Sequence, residues 1–116
     1  MVMSAEAREG IRAAVAYNPH AACLLLGILW EAAPWVKYKR DDRYGPLGVI
    51  LGEPPRRNLA LGMSVPDHRQ PLSASSLAAC RQFNEEWLRR DFSKQELADV
   101  LQEILTNIGF RCKRSS

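Results

Sequence analysis

Any covalent or metal chemistry in this chain would have to come from its histidines, cysteines, serines and paired acids, and their spacing supplies little of it. His20 and His68 lie far apart in sequence, with no His-x-x-x-His and no paired cysteines, so no local metal site is expected. Asp41-Asp42 lacks a third oxygen donor at calcium-loop spacing. Ser73, Ser75 and Ser76 stand where a helix would begin, outside any Gly-x-Ser-x-Gly elbow. His68, beside Asp67 in a proline-bounded stretch, is the one catalytic candidate, although an exposed loop histidine is the commoner reading. Glu31 and the pair Glu85-Glu86 read as solvated helix positions. The glycines of residues 45–52 have neither a dinucleotide nor a P-loop pattern, and Pro46 removes a donor N–H, so no cofactor is expected.

Three cysteines, Cys23, Cys80 and Cys112, are an odd number without Cys-x-x-Cys spacing. That argues against a disulfide and for a reducing compartment. Cys23 and Cys80 sit in apolar helical patterns and read as buried, inert thiols. Cys112 lies in the basic run Arg111-Cys-Lys-Arg114, where cations would lower a thiol's pKa, but it reads as an unused thiol near a frayed end.

Residues 35–65 are more suggestive, because cations and aromatics alternate there. Seven of the sixteen Lys and Arg residues fall within residues 34–72, against four acids. Residues 1–33 carry two cations and three acids, and residues 73–116 seven and six, so the middle of the chain supplies the net charge of +3. Trp35, Lys37, Lys39, Arg40, Arg43, Tyr44, Arg56 and Arg57 form the candidate partner-binding set, with Tyr38 interleaved; Trp, Tyr and Arg are the residue types that anchor interfaces. The plainer account of the same residues is an edge strand guarded by lysines and a solvated Arg-Arg turn.

The elements that would position these residues follow from capping and periodicity. Ser4 with Glu6 opens a helix to about residue 17, with Ile11, Ala14 and Val15 on its apolar face. Asn18-Pro19 restarts the chain as a helix over residues 19–32, apolar nearly all round and therefore in need of two covers; it is expected to be the central helix or to face a second subunit. Residues 35–40, 47–51 and 58–65 alternate bulky with small or polar side chains and predict three strands, whose reverse face of small residues a helix or a partner could approach. Ser73 caps a third helix to about residue 90, with Leu77, Cys80, Phe83, Trp87 and Leu88 inward. Ser93 and Glu96 form a capping box for a fourth, with Leu97, Val100, Leu101, Ile104, Leu105 and Ile108 along one stripe and a glycine stop at Gly109. The exposed face of that fourth helix carries three carboxylates and one lysine, which excludes a DNA-recognition role.

The expected fold is therefore α+β, a small antiparallel three-stranded meander packed with four helices in the order ααβββαα. It forms a single domain over residues 1–116, with a short basic tail at 111–116. The apolar run 21–30 is too short to span a bilayer and is flanked unlike a signal peptide, so a soluble cytoplasmic protein is expected, with no membrane partner. Functionally, the chain reads as a non-catalytic interaction protein, an adaptor, inhibitor or immunity-type module whose basic aromatic ridge meets an acidic protein. The alternatives are a nucleic-acid-binding accessory protein using the same ridge on phosphates, and a small enzyme built on His68. A homo-oligomer joined through the second helix is a further option.

Overall fold

A computed structural model describes residues 2–31, 43–52 and 72–112. Every regular element among them is helical: α1 (Ala5–Tyr17), α2 (Pro19–Trp30), a 3-10 turn (Gly45–Leu47) that runs into the single turn α3 (Gly48–Leu51), α4 (Ala74–Leu88) and α5 (Lys94–Asn107). The expected α+β class is thereby overturned. The second of the three strands is helix, and a three-stranded meander cannot be built without it; the other two, residues 35–40 and 58–65, lie outside the described residues.

The misreading at 47–51 has a physical cause. Alternation would place Val49 and Ile50 on opposite faces, yet both are buried, as are Pro46, Leu47 and Gly48. A short apolar run buried on all sides has no period by which strand and helix can be told apart. What decides it is backbone chemistry. Pro46 stands second in the 3-10 turn, within the first turn of the helical run, where its fixed φ suits a helix and its missing N–H costs nothing.

Capping explains the long helices. The Ser4 hydroxyl accepts the N–H of Ala7 at the start of α1. Asn18 then serves two helices at once: its own N–H ends α1 on the carbonyl of Ala14, while its side chain accepts the N–H of Ala21 to begin α2. Ser73 and Ser93 cap α4 and α5 through the N–H groups of Ser76 and Glu96. Two helices end in the same paired bonds. Phe110 and Gly109 donate to the carbonyls of Leu105 and Thr106 after α5, and Asp91 and Arg90 to those of Glu86 and Trp87 after α4. The left-handed position is Gly109 (φ +83°) in the first case but Arg90 (φ +59°) in the second.

Helix α1 packs against α2, α3, α4 and α5, most extensively against α4, and so takes the central position expected for α2. Its face of Ala7, Gly10, Ile11, Ala14 and Val15 is buried. Helix α2 does find cover on more than one side, from α1, α3 and α5, which enclose Ala21, Ala22, Leu25, Leu26 and Leu29; Leu24 stays exposed. In α5 the expected stripe is buried from Leu97 to Leu105, while Ile108 is half exposed. In α4, Cys80 and Phe83 face inward as expected, and Phe92 closes over Phe83 and Trp87 with ring centroids 5.2 and 5.7 Å away. Leu88 departs from that reading, being 72% exposed.

Cys23 and Cys112 form a disulfide (S–S 2.06 Å, Cα–Cα 5.4 Å) between α2 and the segment that follows α5. This corrects the expectation of no disulfide, and with it the reading of Cys23 as a buried thiol and of Cys112 as an unused one. The argument for a reducing compartment rested on that expectation and goes with it. No helix among the described residues is long and apolar enough to cross a membrane.

Two substitutions test this packing. A Cβ on Gly10 would lie 2.6 Å from the carbonyl oxygen of Ala79 and 2.9 Å from the amide nitrogen of Cys80, both backbone atoms of α4. Gly10→Ala, which helix propensity alone would favour by about 1 kcal/mol, should instead lower stability in urea unfolding by about 1–3 kcal/mol. A gain in stability would mean that α1 and α4 do not meet there. Arg90→Gly should raise stability by about 1 kcal/mol, because glycine adopts the left-handed conformation without a Cβ conflict; an unchanged or lower urea midpoint would show that the arginine side chain contributes more than its backbone costs.

Candidate functional site

Of the candidate partner-binding residues, Arg43 and Tyr44 are described, while Trp35, Lys37, Lys39, Arg40, Arg56 and Arg57 lie outside the described residues, as does His68. The two do different things. Tyr44 is only 5% exposed and belongs to the hydrophobic core, so it anchors the segment there. Arg43 is exposed, with its guanidinium carbon 5.5 Å from the centroid of the Tyr44 ring, within cation–π range.

The backbone at this point is held from α4. The amide Nδ2 of the buried Asn84 donates to the carbonyl of Arg43 at 3.1 Å. Two residues on, Gly45 has φ +59° and lies so close to Asn84 Oδ1 that a Cβ would collide with it. Glycine is therefore required twice over, for its conformation and for the approach. Arg43 is in this way presented at the surface on a backbone held from α4, just before the 3-10 turn.

Elsewhere among the described residues, several groups that could do chemistry are engaged in structural bonds. Glu86, expected as a solvated position beside Glu85, is buried; Glu85 is exposed as expected. The Glu86 carboxylate accepts the N–H of Ser4 at 2.9 Å, the hydroxyl of Ser4 at 2.5 Å and the amide of Gln82 at 2.9 Å. Burial alone would raise its pKa, but the Ser4 hydroxyl and N–H, the Gln82 amide and the charge of Arg89 outweigh it and hold the carboxyl below the ordinary glutamate value. An ionised carboxylate with three donors on it is a poor general base. Helical spacing was the available signal, since Glu86 lies three residues beyond Phe83 and seven beyond Ala79 on the inward face of α4.

A second carboxylate reaches the same segment. Glu96 Oε1 accepts the N–H of Met3 at 3.1 Å, so the capping box at α5 is half as expected: Ser93 holds the N–H of Glu96, while the Glu96 side chain is turned to the start of the chain. Glu86 from α4 and Glu96 from α5 thus grip two successive N–H groups, with the Met3 side chain buried between core residues. Arg8 pairs with Glu103 of α5 at 3.1 Å, and Lys94 Nζ donates to the carbonyl of Glu31 at the end of α2.

Cys80 is buried, donates to the carbonyl of Gly10 at 3.5 Å, and has its thiol pushed up to about 11 by burial, which fits an inert core thiol. A cleft of about 220 Å³ lies between α2, the second half of α5 and the segment after it; Leu26 and Leu105 line it together with Phe110, Arg111 and Cys112. No group of three or more His, Cys, Asp or Glu residues that could hold a metal ion comes together among the described residues.

The grip on Ser4 makes a pH prediction. Because the folded state holds Glu86 below its ordinary value near 4.5, the unfolded chain takes up a proton in that range more readily than the folded chain does. The contribution of Glu86 is complete above about pH 4.5 and is lost as pH falls through the lowered folded value. In Glu86→Gln, urea midpoints measured between pH 6 and pH 3 should fall less steeply than in the native protein. Glu86→Ala, which strands the Ser4 donors, should cost about 1–3 kcal/mol at neutral pH. A native-like acid slope in Glu86→Gln would show that the carboxylate is not engaged in this way. Compared with known protein families, with characterised proteins and with solved structures, the chain matches none of them.

Proposed function

We propose that the chain is a small interaction module that binds an acidic protein surface through its basic, aromatic-bearing stretch. The observation that carries this reading is how the charge divides. Residues 34–72 hold seven cations and four acids, whereas the rest of the chain holds nine of each. A basic central stretch in an otherwise neutral chain suits a charged contact element borne on a neutral scaffold. The engagement of Glu86, Glu96, Cys80 and the Cys23–Cys112 pair in structural bonds supports a binding role over a catalytic one.

In this reading Trp35, Lys37, Lys39, Arg40, Arg43, Arg56 and Arg57 meet the partner, and Tyr44 holds the end of the stretch in the core. Positive charges steer an acidic partner and set the register, and Trp35 supplies the desolvated anchor from which most of the affinity comes.

The test compares the native chain with a variant in which Lys37, Lys39, Arg56 and Arg57 are all changed to Glu. Each is used as bait in extracts of the native host, and the recovered partner is then titrated calorimetrically. The reversal should abolish binding while leaving the helical circular dichroism unchanged, and Trp35→Ala should weaken binding by more than about 1 kcal/mol. The protein complex should keep much of its affinity at high salt. Undiminished binding by the reversed chain would remove the basic stretch from the interface. Recovery of nucleic acid, with affinity falling log-linearly in salt, would replace the acidic protein by a phosphate backbone.

A further inference from the structure

The last described residues run back along one face of α2. His20, Cys23 and Leu26 follow one another at three-residue spacing, one stripe of that helix. After the glycine stop of α5, the ring of Phe110 stands edge-on to His20 with centroids 5.1 Å apart, and two residues later Cys112 is bonded to Cys23. Residues 110–112 therefore form a strap with two fasteners, one aromatic and one covalent. Beside it, Leu26 and Leu105, each nearly or fully buried, line the cleft whose other side is the strap itself.

We propose that the Cys23–Cys112 bond is a redox-sensitive latch: reduction by a dithiol frees the strap from α2 and opens the cleft over Leu26 and Leu105, while the helical body stays folded. Three features support the two halves of this statement. Cys23 and Cys112 are half-buried, not sealed in the core, so an external thiolate has a path to the sulfurs. Phe110 and Cys112 pack against the core from outside and are not members of it, whereas the contacts that join α1 to α4 and α5 involve no strap residue. The only other cysteine, Cys80, is buried and bonded to the carbonyl of Gly10, and a thiol so little ionised cannot attack the disulfide from within. Exchange is thus confined to the external reductant. Its thiolate attacks one sulfur, the S–S bond breaks to give a mixed disulfide and one protein thiolate, and the second thiol of the dithiol displaces the other. The protein takes up two electrons and two protons, and the dithiol leaves as its cyclic disulfide.

The experiment uses the full chain with dithiothreitol, followed by removal of the reductant and reoxidation with oxidised glutathione. On reduction, helical circular dichroism should change little. Hydrogen exchange at the Phe110 amide, which is bonded to the carbonyl of Leu105, should quicken at least tenfold, trypsin cleavage after Arg111 should quicken likewise, and amides in the middle of α5 should keep their protection. Reoxidation should restore the original rates, and the Cys23→Ser, Cys112→Ser double variant should behave as the reduced chain without reductant. Loss of the helical signal on reduction, in the native chain, would make the bond a staple of the whole fold and overturn the proposal. Unchanged exchange and cleavage near Phe110 and Arg111 would overturn it as well, as would failure of the bond to re-form.

Discussion

The fold depends on how closely α1 can approach α4. At Gly10 the two backbones come within the distance that a single methyl group would occupy, and the thiol of Cys80 bonds directly to the Gly10 carbonyl across that contact. Such proximity seats Gly10 directly against Ala79, and it brings Glu86, two turns further along α4, level with the start of α1. The carboxylate then takes up the N–H and hydroxyl of Ser4, which would otherwise have to stay solvated at a partly buried helix start. Close packing and polar satisfaction are one arrangement here, because neither could be kept if the helices moved apart.

This arrangement also accounts for how the inward carboxylates of the described residues are used. A buried carboxylate without partners would be driven towards its neutral form and become useful as an acid or base. Glu86 instead has donors from Ser4 and Gln82 on both oxygens, and Glu96 is aimed at a backbone N–H. Each ionisable group drawn inward closes off a backbone donor or a helix end. The excess positive charge of the chain lies in residues 34–72, which hold seven cations against four acids.

The helices were legible because their ends are written in local chemistry. Ser4, Asn18-Pro19, Ser73, Ser93 and Gly109 each act on backbone groups within four residues, and a reader of the chain needs nothing else to see them. The features that were misread depend on partners far away in sequence. Glu86 meets Ser4 across 82 residues, and Cys23 finds Cys112 across 89, so an odd cysteine count pointed the wrong way. Residues 47–51 failed for a different reason, since complete burial erases the period on which the strand reading relied. At the candidate site, the excess of charge was visible from composition, but the burial of Tyr44 was not, because it follows from the hold of Asn84 on the preceding carbonyl and from the backbone of Gly45.

Asn18 closes one helix and opens the next without an intervening linker, and this rigid joint sets limits on how the chain can vary in length. One residue inserted within α2, between Asn18 and Cys23, turns the helix after it by about 100° relative to its capped start. The stripe of His20, Cys23 and Leu26 would then face away from Phe110 and Cys112, and the all-apolar surface of α2 would lose its match with α1 and α5. A change of length between His20 and Cys23 would therefore break the match with Phe110 and Cys112, whatever its composition. In that sense α2 behaves as a fixed gauge against which the segment after α5 is aligned.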